Sequence, residues 1–214
     1  MPIRKIKLVK GEVYHIYNKS IAGFSVFNNA GDYNRMTELA SFYIAEKVPC
    51  KFSTYKILKN VKFKPSTRIV DIVAYCLMPT HIHFVLKQNQ DDGIEKFIGL
   101  ISQSYGQYFN LHHKRNGPLW EGRFKNVLVN TDEQLLHLTR YVHLNPVTAF
   151  LVNDPGYWKY SSYNEYLGAC AYDERLCHFS DLLKIDPVSY KKFVLDQIDY
   201  QRQLAIIKDL ALED

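Results

Sequence analysis

The most distinct pattern in the chain is an alternation of histidines with bulky apolar residues directly after Pro79. Successive side chains of a β-strand point to opposite faces, so a strand here places His81 and His83 on one face. The opposite face takes the apolar residues Ile82, Phe84 and Leu86. One face can therefore anchor in a core while the other offers two imidazoles.

The remaining periodicity predicts the other elements of the fold. Strands are predicted at 13–17, 69–77 and 127–129, and helices at 32–47, at 94–108 and from 131 onward. A Met-Pro step separates 69–77 from the histidine strand, so these two strands should pair antiparallel. This order predicts an α+β fold, in which helices pack on a mainly antiparallel sheet. The segment after the first helix is either a hairpin or an ordered loop.

The third helix begins with a capping signal. Thr131 can cap it, and Gln134 can complete a capping box. Its buried stripe is Leu135, Leu138 and Val142. After several aromatic residues, a helical tail is predicted at 189–212. The domain prediction is a core at 1–150 and a mostly helical extension at 151–214 that packs on the core or extends it.

Composition indicates an ordinary globular protein. Of the 214 residues, 47% are apolar, but no apolar run reaches the ~20 residues that span a membrane. No charged start is followed by an apolar block and a cleavage site, so export is not expected. The four cysteines match no tight zinc or redox spacing, and we expect reduced thiols in the cytoplasm.

The basic residues are concentrated in the first third of the chain. Lys and Arg outnumber Asp and Glu by 13 to 4 in residues 1–68, against 7 to 7 in 69–150 and 7 to 11 in 151–214. One stretch has no acidic residue and carries Lys51, Lys56, Lys59, Lys62, Lys64 and Arg68. Interleaved Phe52, Tyr55 and Phe63 suit stacking on unpaired bases. This stretch is either a nucleic-acid surface or a solvated face.

The two histidines have two interpretations. Neutral imidazole is a common metal ligand, and two at alternate strand positions converge above the sheet. Otherwise they form a half-exposed pair that packs under a helix. Tyr141 and Asn145, four residues apart, share one face of the third helix, and His137 lies on the same ridge. Asn145 either completes a metal site or caps a new helix that starts at Pro146. Tyr141 either acts on the group that a bound metal ion polarises, or it only packs against neighbouring side chains.

Three blocks in this order resemble the single-tyrosine transposases of the HUH endonuclease class, most closely the branch of REP-associated tyrosine transposases. They are Pro79-Thr80-His81-Ile82-His83-Phe84-Val85-Leu86, Gly117-Pro118-Leu119-Trp120-Glu121-Gly122-Arg123-Phe124 and Tyr141-Val142-His143-Leu144-Asn145-Pro146-Val147. The resemblance spans roughly residues 10–168. It implies a ferredoxin-like or RRM-like HUH core.

The resemblance also implies roles for individual residues. His81, His83 and Asn145 would hold Mg²⁺ or Mn²⁺, and Tyr141 would be the nucleophile. His137 and His143 are candidate bases. Thr80 stands where the family usually has asparagine, which bears on hydrogen bonding around the metal ligands.

The implied activity is DNA transposition and recombination through nicking and rejoining of single-stranded or hairpin DNA, with a 5′-phosphotyrosine intermediate. In some relatives a homodimer shares the tyrosine helix, so a dimer is a further expectation. Lys114, Arg115, Arg123 and Lys125 around Trp120 fit a DNA groove, or else a surface loop held by a buried tryptophan. A domesticated protein that binds hairpins without cutting them and a hydrolase that uses water are the alternative functions.

Overall fold

The structure of the protein is a computed structural model that describes residues 7–58, 63–171 and 175–210, with backbone alone for 207–210. Its strands are β1 (Val13–Lys19), β2 (Val70–Met78), β3 (His81–Gln88) and β4 (Lys125–Val129). Its α-helices are α1 (Ala30–Tyr43), α2 (Phe52–Ile57), α3 (Gly93–His112), α4 (Asp132–Thr148), α5 (Tyr163–Tyr166), α6 (Pro187–Leu195) and α7 (Ile198–Leu210). Two short 3₁₀ helices lie at Ile21–Gly23 and Pro155–Tyr157.

The strands form one antiparallel sheet in the order β2-β3-β1-β4. β2 and β3 pair across the tight turn after Met78, as the sequence predicted. The register between β1 and β3 places Tyr17 opposite His83 and Lys19 opposite His81. Because directly paired residues point to the same side, β1 and β3 display these side chains on a shared face.

Ring contacts identify the helix that covers each face of the sheet. Phe84 of β3 contacts Phe97 of α3, with 6.0 Å between ring centroids, and α1 packs on α3 in the same layer. His83, the neighbouring residue in β3, contacts Tyr141 of α4 on the opposite face at 5.8 Å. The α+β fold predicted from the sequence is confirmed, and the histidine face lies under α4.

Residues after 150 cover the outer edge of β2. Leu77 N–H donates to the Tyr160 carbonyl at 2.9 Å, so the extension continues the hydrogen bonding of the sheet. The register of β2 shifts between Ile72 and Ala74, and the extra residue Val73 accepts a hydrogen bond from the Tyr166 hydroxyl at 2.9 Å. A bare strand edge invites pairing with other chains, and these contacts close it.

The end of α1 differs from the sequence prediction. The helix ends at Tyr43 and not at 47, because Ala45 pairs with Arg68 and Ile69 N–H donates to the Ile44 carbonyl at 2.8 Å. The backbone thus leaves the helix to join the approach to β2.

The described part of the basic segment begins with the short helix α2, where the sequence predicted a hairpin or an ordered loop. The rings of Phe52, Tyr55 and Phe63 pack on Phe42 of α1, with centroids 5.3, 4.8 and 5.4 Å away. Phe52 is 2% exposed. The expectation of base stacking is therefore corrected for Phe52, while Tyr55 and Phe63 are half-buried and their stacking on bases stays a prediction.

α4 runs without a break through Pro146 to Thr148, so Asn145 does not cap a new helix. Its start follows the predicted capping signal. Thr131 Oγ1 accepts from Gln134 N–H at 3.1 Å, and Gln134 Oε1 accepts from Asn130 N–H at 2.9 Å. The predicted single tail helix is divided into α6 and α7. Within the described ranges, no helix is both long and apolar enough to cross a membrane.

Candidate functional site

A cleft of about 770 Å³ opens between α4 and the histidine face of the sheet. The residues that define this histidine cleft are His15, Thr80, His81, His83, Tyr141 and Asn145. β3 contributes two of them because its histidines alternate with core residues. α4 contributes Tyr141 and Asn145 because residues four apart share a helix face. The structure therefore brings together the four residues that the sequence proposed for metal binding and nucleophilic attack.

Tyr141 lies edge-on to two imidazoles. Its ring centroid is 5.8 Å from that of His83 and 6.0 Å from that of His15. The side chain remains 46% exposed, whereas Asn145 is 9% exposed. Asn145 Nδ2 donates to the Tyr141 carbonyl at 2.9 Å, which fixes the amide against the helix. Tyr141 is thus held beside the histidines while it stays open to a ligand in the cleft.

Each of the two predicted metal ligands has a hydrogen-bond partner at Nδ1. His83 Nδ1 lies 2.9 Å from His15 Nε2, and His81 Nδ1 lies 3.0 Å from Thr80 Oγ1. Thr80 was predicted to act on the hydrogen bonding around the ligands, and it occupies that position.

Burial keeps the three imidazoles neutral at pH 7. It lowers the pKa of His15 and that of His81 to about 4, with a further lowering at His81 by the charge of Lys19. The pKa of His83 falls well below its ordinary value, mainly through burial and then through His81, His15 and Lys19. Desolvation penalises the charged form, so the lone pairs of these rings are available to a ligand at neutral pH.

The electrostatic environment of Tyr141 works against its phenolate. Burial raises the pKa of Tyr141, and a hydrogen bond from Asn145 lowers it in part. The tyrosine side chain is already a weak acid, with an unperturbed pKa of ~10. A nucleophilic role for Tyr141 therefore needs help from a bound cation or a base.

The chemistry of these donors fits a divalent metal ion. In the part of the chain that the structure describes, no group of three or more His, Cys, Asp and Glu side chains is arranged to hold a metal. A site in this cleft would thus combine two neutral imidazoles with the Asn145 amide oxygen. Imidazole nitrogen suits transition metals and carboxamide oxygen suits harder ions, so the mixed set favours Mn²⁺ over Mg²⁺.

His143 and His137 lie outside the cleft, which corrects the expectation that either assists Tyr141. His143 follows Tyr141 by two residues and so points to the other side of α4. There it contacts the Tyr190 hydroxyl at 2.6 Å and Ser162 Oγ at 2.7 Å, and complete burial lowers its pKa to about 3. His137 is exposed, with Nδ1 2.7 Å from Arg140 Nη2.

The predicted DNA-binding residues are dispersed. Lys125 lines the histidine cleft, while Lys51, Lys64, Lys114 and Arg123 are exposed elsewhere. Two of the predicted DNA-binding residues form salt bridges within the chain: Lys56 with Glu38 at 2.6 Å, and Arg68 with Asp71 at 2.7 Å. Lys59 and Lys62 lie outside the described residues.

The sequence allowed the loop before β4 to be either a DNA groove or a surface loop held by a buried tryptophan. The structure fits the second of these. Trp120 is 9% exposed, and its indole N–H donates to the Ser102 carbonyl at 3.3 Å. Arg115 binds the loop itself through the carbonyls of Gly117 and Pro118. A contact of either side chain with DNA remains a prediction.

Sequence reasoning missed the contribution of β1 to the cleft. His15, Tyr17 and Lys19 alternate with buried residues in β1 and line the cleft, as does Glu121 from the following loop. Their alternation was visible in the sequence. The register that places them beside His81 and His83 comes from long-range pairing, and the sequence alone does not fix it.

The chain is similar to known proteins over part of its length. The sequence model of the IS200-like transposases matches residues 44–145, a segment that contains His81, His83, Tyr141 and Asn145. Over this segment the chain is similar to the IS200-like transposases. β1 precedes the matched segment.

Two individual proteins are also similar to this chain. A curated REP-associated tyrosine transposase of Haemophilus influenzae is 29% identical over 114 residues, which cover 49% of this chain. The chain spans 65% of the length of that relative. A REP-associated tyrosine transposase solved bound to a REP hairpin has the same fold, with a TM-score of 0.52 and 16% identity. The superposition covers 86% of this chain and 98% of that one.

Proposed function

We propose that this chain is a metal-dependent transposase that nicks and rejoins single-stranded DNA at hairpins or palindromes, with Tyr141 as the nucleophile. The observation that carries the proposal is the contact of Tyr141 with His83 inside a cleft that also holds His81 and Asn145. A single chain supplies all four groups. The hairpin in the solved relative supports the choice of substrate.

The proposed chemistry is a phosphoryl transfer to tyrosine. The Tyr141 oxygen attacks the phosphorus atom, the bond to the 3′ oxygen breaks, and the phenol proton leaves the tyrosine while the 3′ oxygen gains a proton. DNA then holds a free 3′-hydroxyl, and its 5′ phosphate is bound to Tyr141. Attack by a 3′-hydroxyl reverses the step and joins strands, because the phosphodiester energy is kept on the enzyme.

The neighbours of Tyr141 have distinct tasks in this proposal. A divalent ion at His81, His83 and Asn145 would withdraw charge from the scissile phosphate. Tyr141 is fixed on α4, so its oxygen and the phosphate would meet in one orientation. Lys125, whose ammonium lies 5.8 Å from the Tyr17 ring centroid, offers a positive charge to the DNA backbone at the rim of the cleft.

The test is a covalent-adduct assay with labelled single-stranded hairpin oligonucleotides and Mn²⁺. The wild-type chain should give a labelled protein band on a denaturing gel, and Tyr141→Phe should give none while it still binds the oligonucleotide. Tyr157→Phe is the matched control, since Tyr157 is 77% exposed and lies outside the cleft. It should behave like the wild type.

Other outcomes would point to the alternative functions. Cleavage that persists in Tyr141→Phe would contradict the nucleophile and favour a hydrolase that uses water. Tight hairpin binding without an adduct, across a panel of hairpins and with either Mg²⁺ or Mn²⁺, would favour a binding protein that does not cut.

A further inference from the structure

His15 is within hydrogen-bond distance of His83, yet the proposed chemistry gives His15 no task. The two rings are stacked with centroids 5.2 Å apart and 16° between their planes, and Nε2 of His15 is 2.9 Å from Nδ1 of His83. His15 also lies before the segment that matches the family. Its position in the histidine cleft comes from the pairing of β1 with β3.

The contact constrains where His83 carries its proton. A neutral imidazole has one N–H and one lone pair, and the hydrogen bond at one nitrogen decides which nitrogen can bind a metal. If His83 Nδ1–H donates to His15 Nε2, then Nε2 of His83 keeps its lone pair. The reverse direction would put the His83 proton on Nε2 and leave no nitrogen of that ring for a metal ion in the cleft.

His81 shows the same arrangement with a different partner. Its Nδ1 lies 3.0 Å from Thr80 Oγ1, so an Nδ1–H that donates to the hydroxyl again leaves Nε2 with the lone pair. Both predicted ligands therefore present the same nitrogen to an acceptor supplied by the protein. Thr80 does this from the adjacent position of the chain, and His15 does it from a neighbouring strand.

We propose that His15 is a positioning residue that accepts a hydrogen bond from His83 Nδ1–H and so keeps Nε2 of His83 available as a metal ligand. The importance of this role for catalysis rests on the proposed function. The proton position itself does not, because it is a property of the protein without metal. A hydrogen-bond partner of a ligating histidine typically contributes 10- to 100-fold to metal affinity.

The first test observes the proton directly. Long-range ¹H–¹⁵N NMR spectra of the metal-free protein, with His83 assigned by its absence in His83→Gln, distinguish the Nδ1–H from the Nε2–H form. We expect the Nδ1–H form in the wild type. An Nε2–H form of His83 in the wild type would overturn the proposal without the use of any His15 variant.

The second test compares Mn²⁺ affinity among variants by calorimetry. His15→Phe keeps a ring against His83 and Tyr141 but cannot accept a hydrogen bond, whereas His15→Gln keeps an acceptor. We expect about 10- to 100-fold weaker binding for His15→Phe and substantial recovery for His15→Gln. His112→Phe, exposed on α3 and outside the cleft, is the matched control and should bind like the wild type.

The outcomes separate this proposal from the proposed function. Wild-type affinity in His15→Phe would overturn the role of His15 and leave the metal site intact. A wild type that has the Nδ1–H form but binds neither Mn²⁺ nor Mg²⁺ would instead contradict the metal-dependent function and leave the assignment of the proton standing.

Discussion

At the scale of single residues, the site depends on side chains that are neutral and held in place. His83 contacts His15 on one side and lies edge-on to His81 on the other, with 5.0 Å between the ring centroids of His81 and His83. The alternation of residues in a strand predicted that His81 and His83 share one face of the sheet. Helical spacing predicted that Tyr141 and Asn145 share one face of α4. The same rule of 100° per residue would have excluded His143, because two residues carry it past the face of Tyr141.

Asn145 allows a test of the third ligand at this scale. Asn145→Ala should weaken Mn²⁺ binding at least about tenfold, or 1.4 kcal/mol, because it removes the proposed amide ligand. Asn145→Asp should bind Mg²⁺ more tightly than the wild type, since a carboxylate is the better ligand for a hard cation. Isothermal titration of the purified variants measures both effects.

Asn116→Asp is the control for added charge, since Asn116 is exposed in the loop before β4. It should leave both affinities unchanged. Equal Mg²⁺ affinities of Asn145→Asp and the wild type would show that the residue does not ligate the metal.

At the scale of elements, periodicity located the strands and long helices, whereas their ends depended on distant partners. α1 stops early because Ala45 pairs with Arg68, a contact between residues 23 positions apart in the sequence. α4 continues through Pro146, whose carbonyl accepts from Leu151 N–H at 2.9 Å. A proline inside a helix removes one donor, and the local sequence did not show that the buried surroundings of α4 would keep the helix intact.

The cap of α4 gives a prediction at this scale. Thr131→Ala removes the acceptor for Gln134 N–H and should lower the free energy of unfolding by about 1 kcal/mol, as measured by urea denaturation. Adduct formation by the folded variant should be unchanged, because Tyr141 lies more than two turns further along α4. Thr131→Ser, which keeps the hydroxyl, should retain most of the wild-type stability. A loss of stability in Thr131→Ser equal to that in Thr131→Ala would exclude the cap as its cause.

At the scale of the whole molecule, the extension and the core share a buried polar network. His143 of α4 contacts Tyr190 of α6 and Ser162, and the Tyr190 hydroxyl donates to Thr139 Oγ1 at 3.0 Å. Ser162 Oγ in turn accepts from Tyr75 N–H of β2 at 2.9 Å. The sequence indicated an aromatic segment after residue 150, but nothing local to it predicted which strand edge it would cover.

The network makes stability depend on pH. The pKa of His143 is about 3 in the folded chain, below its ordinary value of 6.5, so the unfolded chain binds a proton first as pH falls. Stability should therefore decrease from about pH 6.5 towards pH 3, by at most about 1.4 kcal/mol per pH unit for this residue. Urea denaturation at pH 7, 6, 5 and 4 measures the slope.

His143→Gln should reduce that slope because its side chain does not titrate, although the loss of ideal hydrogen bonds lowers stability at pH 7. His112→Gln, at an exposed position of α3, should keep the wild-type slope. Identical slopes for the wild type and His143→Gln would mean that His143 does not link folding to protons.

The pairing of Tyr17 with His83 has a consequence for how the gene can change. Loss of one codon within β1 would shift the alternation by one position, and every side chain beyond the deletion would exchange its face of the sheet. Tyr17 and Lys19 would then point towards α3, and apolar residues would enter the cleft. The backbone ladder could still form, so such a deletion would yield a chain that folds poorly or folds without a site. We therefore expect length to be more strictly preserved in this strand than the identity of its residues.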